Sequence, residues 1–474
     1  METLMRFAEQ ILHLPNKLKL RRLCEAALTS VILLFMCASA DQGIRLPHML
    51  PLLLLVGFSL VLNLKEDVSG KGSASSGKAG RSRDLRLDYL RFLAVTGVIT
   101  IHAIDALFPF LTTVVTGELL DLQNAMNPAA MKLDAAVRTC CYGFNIVYIM
   151  LSGALLLSWK QESLRDFYLK RMSKVLLPLL IYFFFYQWQN GLLFPLSLSR
   201  IAEILRMFFT ADIGCCPFYW LIYIIISLYL FYPFMRYMMK DLPYKALTVL
   251  AIGIILFSGI VSYTSFVFAP VIGFWLGYAI LGYWVTRPET RRFDRFLFPM
   301  GLLQAAVIFR LVWTSGSYDE YMSRIVPYTP IMVFLCLGYF SFVYLLPGRI
   351  VRESRFLSFF GRYSFAVILI HWWMLYFILG RNYPALLPLA ESGSFSGIAF
   401  LWKFFASGGI FNSIFRLIQT VLGMHGGLVY LIIADVLLSL AAGALFEDYL
   451  LKGPLFLWDL AVNKVISLFP EETS

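Results

Sequence analysis

The stretch Arg86–Ala103, RLDYLRFLAVTGVITIHA, joins a run apolar enough for a bilayer to an arginine near its start and a histidine eleven positions later. At about 100° and about 1.5 Å per residue, that spacing is three turns plus roughly 20°, or some 16 Å along the axis. Arg91 and His102 therefore share one helix face. Ionisable groups in hydrocarbon are costly and turn toward a bundle interior or a wet cavity. The segment thus predicts a helical membrane protein with a buried polar stripe.

Composition supports the membrane reading. Of 474 residues, 59% are hydrophobic and 16% aromatic, and only 15% are charged, against about 25% charged in soluble domains. Crossing a bilayer takes about 20 mostly apolar residues. Twelve segments are candidates: residues 26–40, 48–63, 88–109, 139–158, 175–195, 218–238, 246–264, 267–285, 297–313, 329–346, 363–380 and 427–446. The expected fold is an all-α polytopic transmembrane helix bundle: an N-terminal two-helix hairpin (1–64), a flexible basic linker (65–84, with GKGSASSGKAGRS), a ten-span core (85–450) and a cytoplasmic tail (451–474).

The net charge of +11 does not imply nucleic acid, because the basic residues crowd alternate connections. These include NKLKLRR, WKQESLRDFYLKRMSK, RYMMKDLPYK, TRPETRRFDR and PGRIVRESRFLSFFGR. Basic connections stay in the cytoplasm, so both termini are expected there, and the alternation keeps its phase through all twelve spans. No cleaved signal peptide is read at the N-terminus. The long outer connection 381–426 is apolar but interrupted by Lys403, Gly408, Gly409, Asn412 and Arg416. It is expected to cover an external cavity rather than form a thirteenth span, which would invert the charge pattern. Two adjacent cysteine pairs, Cys140/Cys141 and Cys215/Cys216, fall at outer span ends. They read as small apolar residues or, in an oxidising compartment, as partners in a bridge.

Few titratable groups lie inside the spans. Asp88, one turn before Arg91, can pair with it, and Asp105, one turn after His102, is placed to orient the imidazole. The plainer reading has Arg91 snorkelling to the interface and His102 satisfied by a neighbouring helix. A second intramembrane histidine, His371 in GRYSFAVILIHWWMLY, favours the functional one. Ser364 lies on nearly the same face as His371, and Trp372 and Trp373 follow it. Arg310 and Asp435 are the remaining intramembrane charges, partners of each other or of the histidines. His13, His48 and His425 receive no role. No P-loop, zinc-type cysteine spacing or G-x-S-x-G is present, and no metal or permanently bound cofactor is expected.

LDYLRFLAVTGVITIHA resembles the opening helix of the membrane acyltransferase-3 family, which includes bacterial surface-polysaccharide O-acetyltransferases such as the enterobacterial common antigen enzyme. The Arg and His of that family's helix correspond to Arg91 and His102. YIMLSGALLLSWKQESLRDFYLKRMSKVLLPLL resembles the next two helices through Ser152, Gly153 and Arg171. YWLIYIIISLYLFYPFM is similar to the following one through Trp220, Tyr229 and Pro233. GRYSFAVILIHWWMLY resembles the helix with Gly361, Ser364 and His371. The pattern departs at Ile146, where a proline is frequent, and at Phe218, where a histidine is frequent. The N-terminal hairpin is additional, and the hydrolase-like domain of some relatives is not seen after the last helix.

The resemblance implies an O-acyltransferase of the bacterial inner membrane. It would take an acyl, expected acetyl, group from cytoplasmic acyl-CoA to a hydroxyl of a cell-envelope or exported glycan, free or lipid-linked, beside polysaccharide-synthesis proteins. On that footing Arg91, Lys170, Arg171 and Lys174 are expected to hold the CoA phosphates. His102 is expected to act as general base or transient acyl carrier, with Asp105 orienting it and His371 completing the catalytic set. Asp88, Ser152, Trp220, Arg310, Ser364, Trp372 and Asp435 are expected to line the cavity. A transporter or flippase for a lipid-linked glycan, and a non-catalytic partner in polysaccharide export, are the competing expectations. Inverted repeats would favour the transporter, and the two halves show no convincing similarity.

Overall fold

The computed structural model describes residues 14–38, 46–69, 84–108, 128–158, 160, 162–189, 197–212, 216–263, 275–325, 329–380 and 409–468. Among them there are helices and turns and no strand. The chain is an all-α polytopic membrane bundle, and each of the twelve expected apolar segments overlaps a helix of the described residues. These are α1 (Asn16–Ala38), α2 (Leu46–Val68), α3 (Leu85–Leu107), α4 (Pro128–Leu156), α6 (Leu177–Gln189), α8 (Trp220–Met238), α9 (Tyr244–Tyr263), α10 (Leu276–Val285), α11 (Asp294–Thr314), α12 (Pro330–Leu345), α13 (Arg355–Ile378) and α14 (Gly409–Phe446). Two short helices, α5 (Leu164–Arg171) and α7 (Leu198–Phe209), lie in connections, and α15 (Lys452–Leu468) ends the described chain. By length and composition, five helices of the described residues can cross a membrane: those over Leu85–Leu107, Pro128–Leu156, Trp220–Met238, Pro288–Thr314 and Gly409–Val462.

The central helix is α3. Asp84 caps its start by accepting from the Arg86 amide at 3.0 Å, which ends the linker and sets the phase of the Arg91 stripe. α4 packs along one side of α3, and α13 with α14 along the other. α4 in turn crosses α10 through two glycines: a Cβ at Gly153 would lie 2.0 Å from the Ala279 carbonyl oxygen, and one at Gly282 2.0 Å from that of Met150. Such an approach is open only to residues lacking a Cβ. The same device joins α11 to α12, where a Cβ at either Gly301 or Gly338 would meet the other's Cα at 2.6 Å.

At the end of the bundle expected to face outward, residues 381–408 of the long connection lie outside the described residues. From Gly409 the chain is helical until Gly423, whose φ of 74° breaks it. The part before the break folds back on the part after it: Tyr430 donates to the Phe411 carbonyl at 3.2 Å, and Phe415 packs on Gly427. At some 14 residues, about 21 Å, this arm is no further span. It stands over the outer ends of α3 and α13, with Phe415 clustered among Ala103, Leu107, Leu375 and Ile378, and Asn412 donates to the Ile378 carbonyl at 2.9 Å.

At the end of the bundle expected to face inward, Arg22 of α1 makes a two-point pair with Asp67 of α2 at 2.8 and 3.0 Å, and the hairpin so closed is tied to the C-terminal helices. The Tyr449 hydroxyl donates to Glu25 at 2.7 Å, and Lys452 reaches Glu66 at 2.6 Å. The segment after 450, expected as a tail, is helical to Leu468 and packs on α2. Cys140, Cys141 and Cys216 carry free thiols, and Cys215 lies outside the described residues.

Candidate active site

The crossing of α3 and α13 brings the two histidines together, with ring centroids of His102 and His371 5.2 Å apart and planes inclined by 33°. Trp372 meets His102 edge to face at 5.1 Å. Phe218 completes the cluster, 5.0 Å from His371 and 6.4 Å from His102. It comes from the short turn Pro217–Tyr219 that opens α8. The position where the related sequences often carry a histidine is thus an apolar wall against both imidazoles.

His371 is fully buried, and its Nδ1 lies 2.7 Å from the Ile368 carbonyl oxygen. A carbonyl only accepts, so Nδ1 carries the hydrogen and Nε2 keeps its lone pair. That Nε2 is buried without a hydrogen-bond partner among the described residues. His102 is only partly buried, and is the more accessible of the two rings.

Asp105 does not orient His102. Its carboxylate is taken by Arg138 of α4, with Nε 2.5 Å from Oδ1 and Nη2 3.0 Å from Oδ2. The two-point geometry between planar groups outcompetes a contact with an imidazole one turn away. Arg138 is thereby anchored close enough to His102 to act on it electrostatically. One turn further out on α4, Asp134 accepts from His425 Nε2 at 3.1 Å, fastening the outer arm to α4.

Toward the basic side the stripe continues as expected. Asp88 is buried and pairs with Arg91 at 3.1 Å. The Tyr148 hydroxyl of α4 lies against Ser364 of α13, and Arg91 of α3 and Tyr229 of α8 are near enough to act on it electrostatically. Ser152, one turn inward from Tyr148, shares a 2.5 Å contact with Tyr232 of α8.

At the inner mouth, α5 is capped by Ser163, which accepts from the Asp166 amide. Lys170 pairs with Glu162 at 2.7 Å, and the same carboxylate accepts from Arg236 of α8 at 3.2 Å. Burial opposes the ionisation of Glu162, but the hydrogen bonds from Lys170 and Arg236 outweigh it and hold the carboxyl below its ordinary range. Arg171 lies over the Phe167 ring at 4.6 Å.

Lys174, expected with Lys170 and Arg171 at the phosphates, is exposed on the π-helical turn after α5. Of the expected lining residues, several lie away from the histidines. Arg310 is exposed on the outside of the bundle, one turn from the end of α11, where its side chain can snorkel to the interface. It meets neither Asp435 nor a histidine. Asp435 is fully buried and accepts from Ser439 at 2.7 Å. Trp220 stacks on Tyr142 at 6.2 Å, two positions along from the Phe218 that contacts the histidines.

Arg138, Tyr148, Phe218, Glu162 and Arg236 were not singled out as site residues by sequence reasoning. Arg138 immediately precedes the segment expected to cross, and α4 in fact starts at Pro128. Arg236 reads as one more basic residue of RYMMKDLPYK until its burial, 3% exposed, is known.

The fold and this cluster define a membrane protein built around a charged stripe in a helix bundle. Residues 84–408 match the acyltransferase-3 family, described as an acyltransferase domain, and the chain belongs to that family. The match covers α3 to α13 and so contains both histidines, Arg91 and Arg171. No curated protein and no solved structure matches the chain.

Proposed function

We propose that this membrane acyltransferase moves an acyl group, acetyl in the simplest case, from cytoplasmic acyl-CoA to a hydroxyl of a cell-envelope glycan. The single observation that carries the reading is the histidine pair. A tautomerically fixed His371 with a bare Nε2 lies beside a more accessible His102, and a stripe of polar groups leads from there to a cationic inner mouth.

His102 takes the proton of the acceptor hydroxyl as that oxygen attacks the thioester carbonyl carbon. The tetrahedral intermediate collapses with cleavage of the carbon–sulfur bond, and the thiolate recovers the proton from the imidazolium. The products are the ester and free CoA. In this reading His371 Nε2, left an acceptor by the Ile368 contact, takes up the hydrogen bond that the His102 imidazolium offers as it forms. Trp372 offers a face for a sugar ring. Arg91 and Arg171 hold the phosphate end of the donor, and the thioester arm runs outward along Tyr148 and Ser364.

The test is transfer from acetyl-CoA by the purified chain in vesicles, supplied with envelope glycan and read as free thiol and as acyl mass on the glycan. Thiol release that depends on glycan and is lost in His102→Ala supports the reading. Full release from His102→Ala and His371→Ala alike, or none from the wild type with any glycan, overturns it.

A further inference from the structure

Around Phe167, at the inner mouth, the cations are more crowded than their counter-ions explain. Phe167 is 1% exposed, and two guanidinium groups share its ring, Arg171 at 4.6 Å and Arg236 at 5.1 Å. Arg236 is 3% exposed. Its Nε donates to the Leu156 carbonyl at 2.9 Å, closing the end of α4, and its Nη1 donates to Glu162 at 3.2 Å. Its Nη2 is buried with no hydrogen-bond partner among the described residues. Glu162 is already shared between Arg236 and Lys170, and Arg171 forms no ion pair among the described residues. Burial draws the Arg171 guanidinium down from its ordinary value. Tyr229 and Glu162 oppose that shift, and the Arg236 charge adds to it. Buried cations without matching anions are disfavoured, so this arrangement fits a site completed by an anionic ligand.

We propose that Arg236 is a positioning residue for the phosphates of the acyl donor: it locks Glu162 and Phe167 in place so that Lys170 and Arg171 form one anion seat at the inner mouth. The inference rests on the acyl-CoA reading above and names the part of the site that recognises the phosphates. Lysine cannot replace this arginine, because one ammonium cannot cap Leu156, pair with Glu162 and lie over a ring at once. Glu162 does not repel the donor, since both of its oxygens are occupied by the cations it aligns.

The test compares two donors, acetyl-CoA and S-acetyl-pantetheine, which carries the same thioester arm without the nucleotide phosphates. Wild type should show a lower KM for acetyl-CoA. Arg236→Lys should raise the KM for acetyl-CoA by about tenfold, the size of one lost charge-assisted contact. It should leave kcat within about twofold and the KM for S-acetyl-pantetheine unchanged. Glu162→Gln, at a more exposed position, should give the same split with a smaller rise and serves where Arg236→Lys fails to fold. Equal losses with both donors, a fall in kcat alone, or no change with either donor would overturn the assignment. Equal wild-type KM values for the two donors would overturn it too. Absence of transfer from both donors in wild type is a separate outcome, which removes the acyl-CoA reading and the phosphate seat with it.

Discussion

A single carbonyl decides the chemistry of His371. With Nδ1–H given to Ile368 at 2.7 Å, the imidazole cannot turn without losing a buried hydrogen bond, so Nε2 stays an acceptor. His102→Ala should lower acyl transfer by at least about a hundredfold, the usual contribution of a positioned general base. His371→Gln should lower it less. Steady-state thiol release measures both. The Asp105–Arg138 pair leads to a different expectation. Asp105→Asn should destabilise the protein more than the double variant Asp105→Asn/Arg138→Gln, because the single change takes the two-point carboxylate contact from a mostly buried guanidinium. Melting in detergent reads the comparison. An Asp105→Asn protein that melts like wild type yet transfers nothing would return Asp105 to the imidazole.

Among the elements, α4 carries the greatest constraint, since it touches α3, α10, α11 and α12. Its Gly153 and the facing Gly282 let two backbones meet where a Cβ would lie 2.0 Å from a carbonyl oxygen. Gly153→Ala and Gly282→Ala should each cost about 1–3 kcal/mol or more, because rigid backbone must move. Gly253→Ala in α9, with nothing within 4 Å of the added Cβ, should be neutral or slightly stabilising, as alanine is the better helix former. Melting of the three variants separates close packing from helix propensity. The Ser-Gly pair was legible as a family signature, but the need for glycine became visible only with Ala279 opposite it. Asp105 fails in the converse way: its spacing to His102 was right, and the competing partner came from a helix that starts earlier than its hydropathy indicates.

For the whole molecule, charge asymmetry orders the bundle. If the basic connections are cytoplasmic, a lone cysteine placed at Ser163 should be labelled only from the inside and one at Ser199 only from the outside, by impermeant maleimide on oriented vesicles. The inner mouth should also respond to acid. Glu162 is held below its ordinary range in the folded protein, so the stability it contributes is complete above the unfolded carboxylate value. That contribution disappears as pH falls through the lower folded one. The melting difference between wild type and Glu162→Gln should therefore vanish toward strongly acidic pH and be constant at neutral and higher pH.

The membrane class, the helices and the Arg91–His102 face follow from local periodicity and composition, which any single helix expresses by itself. Arg91 with Asp88 is equally local, one turn apart. Which charges meet is not local. Arg310 and Asp435 are both intramembrane charges in the chain, yet one faces outward and the other is sealed beside Ser439. The pairing of His102 with His371, of Asp105 with Arg138, and of Glu162 with Arg236 depends on how helices far apart in sequence rotate and cross. That rotation is set by side-chain packing and glycine contacts, so only the tertiary structure decided it.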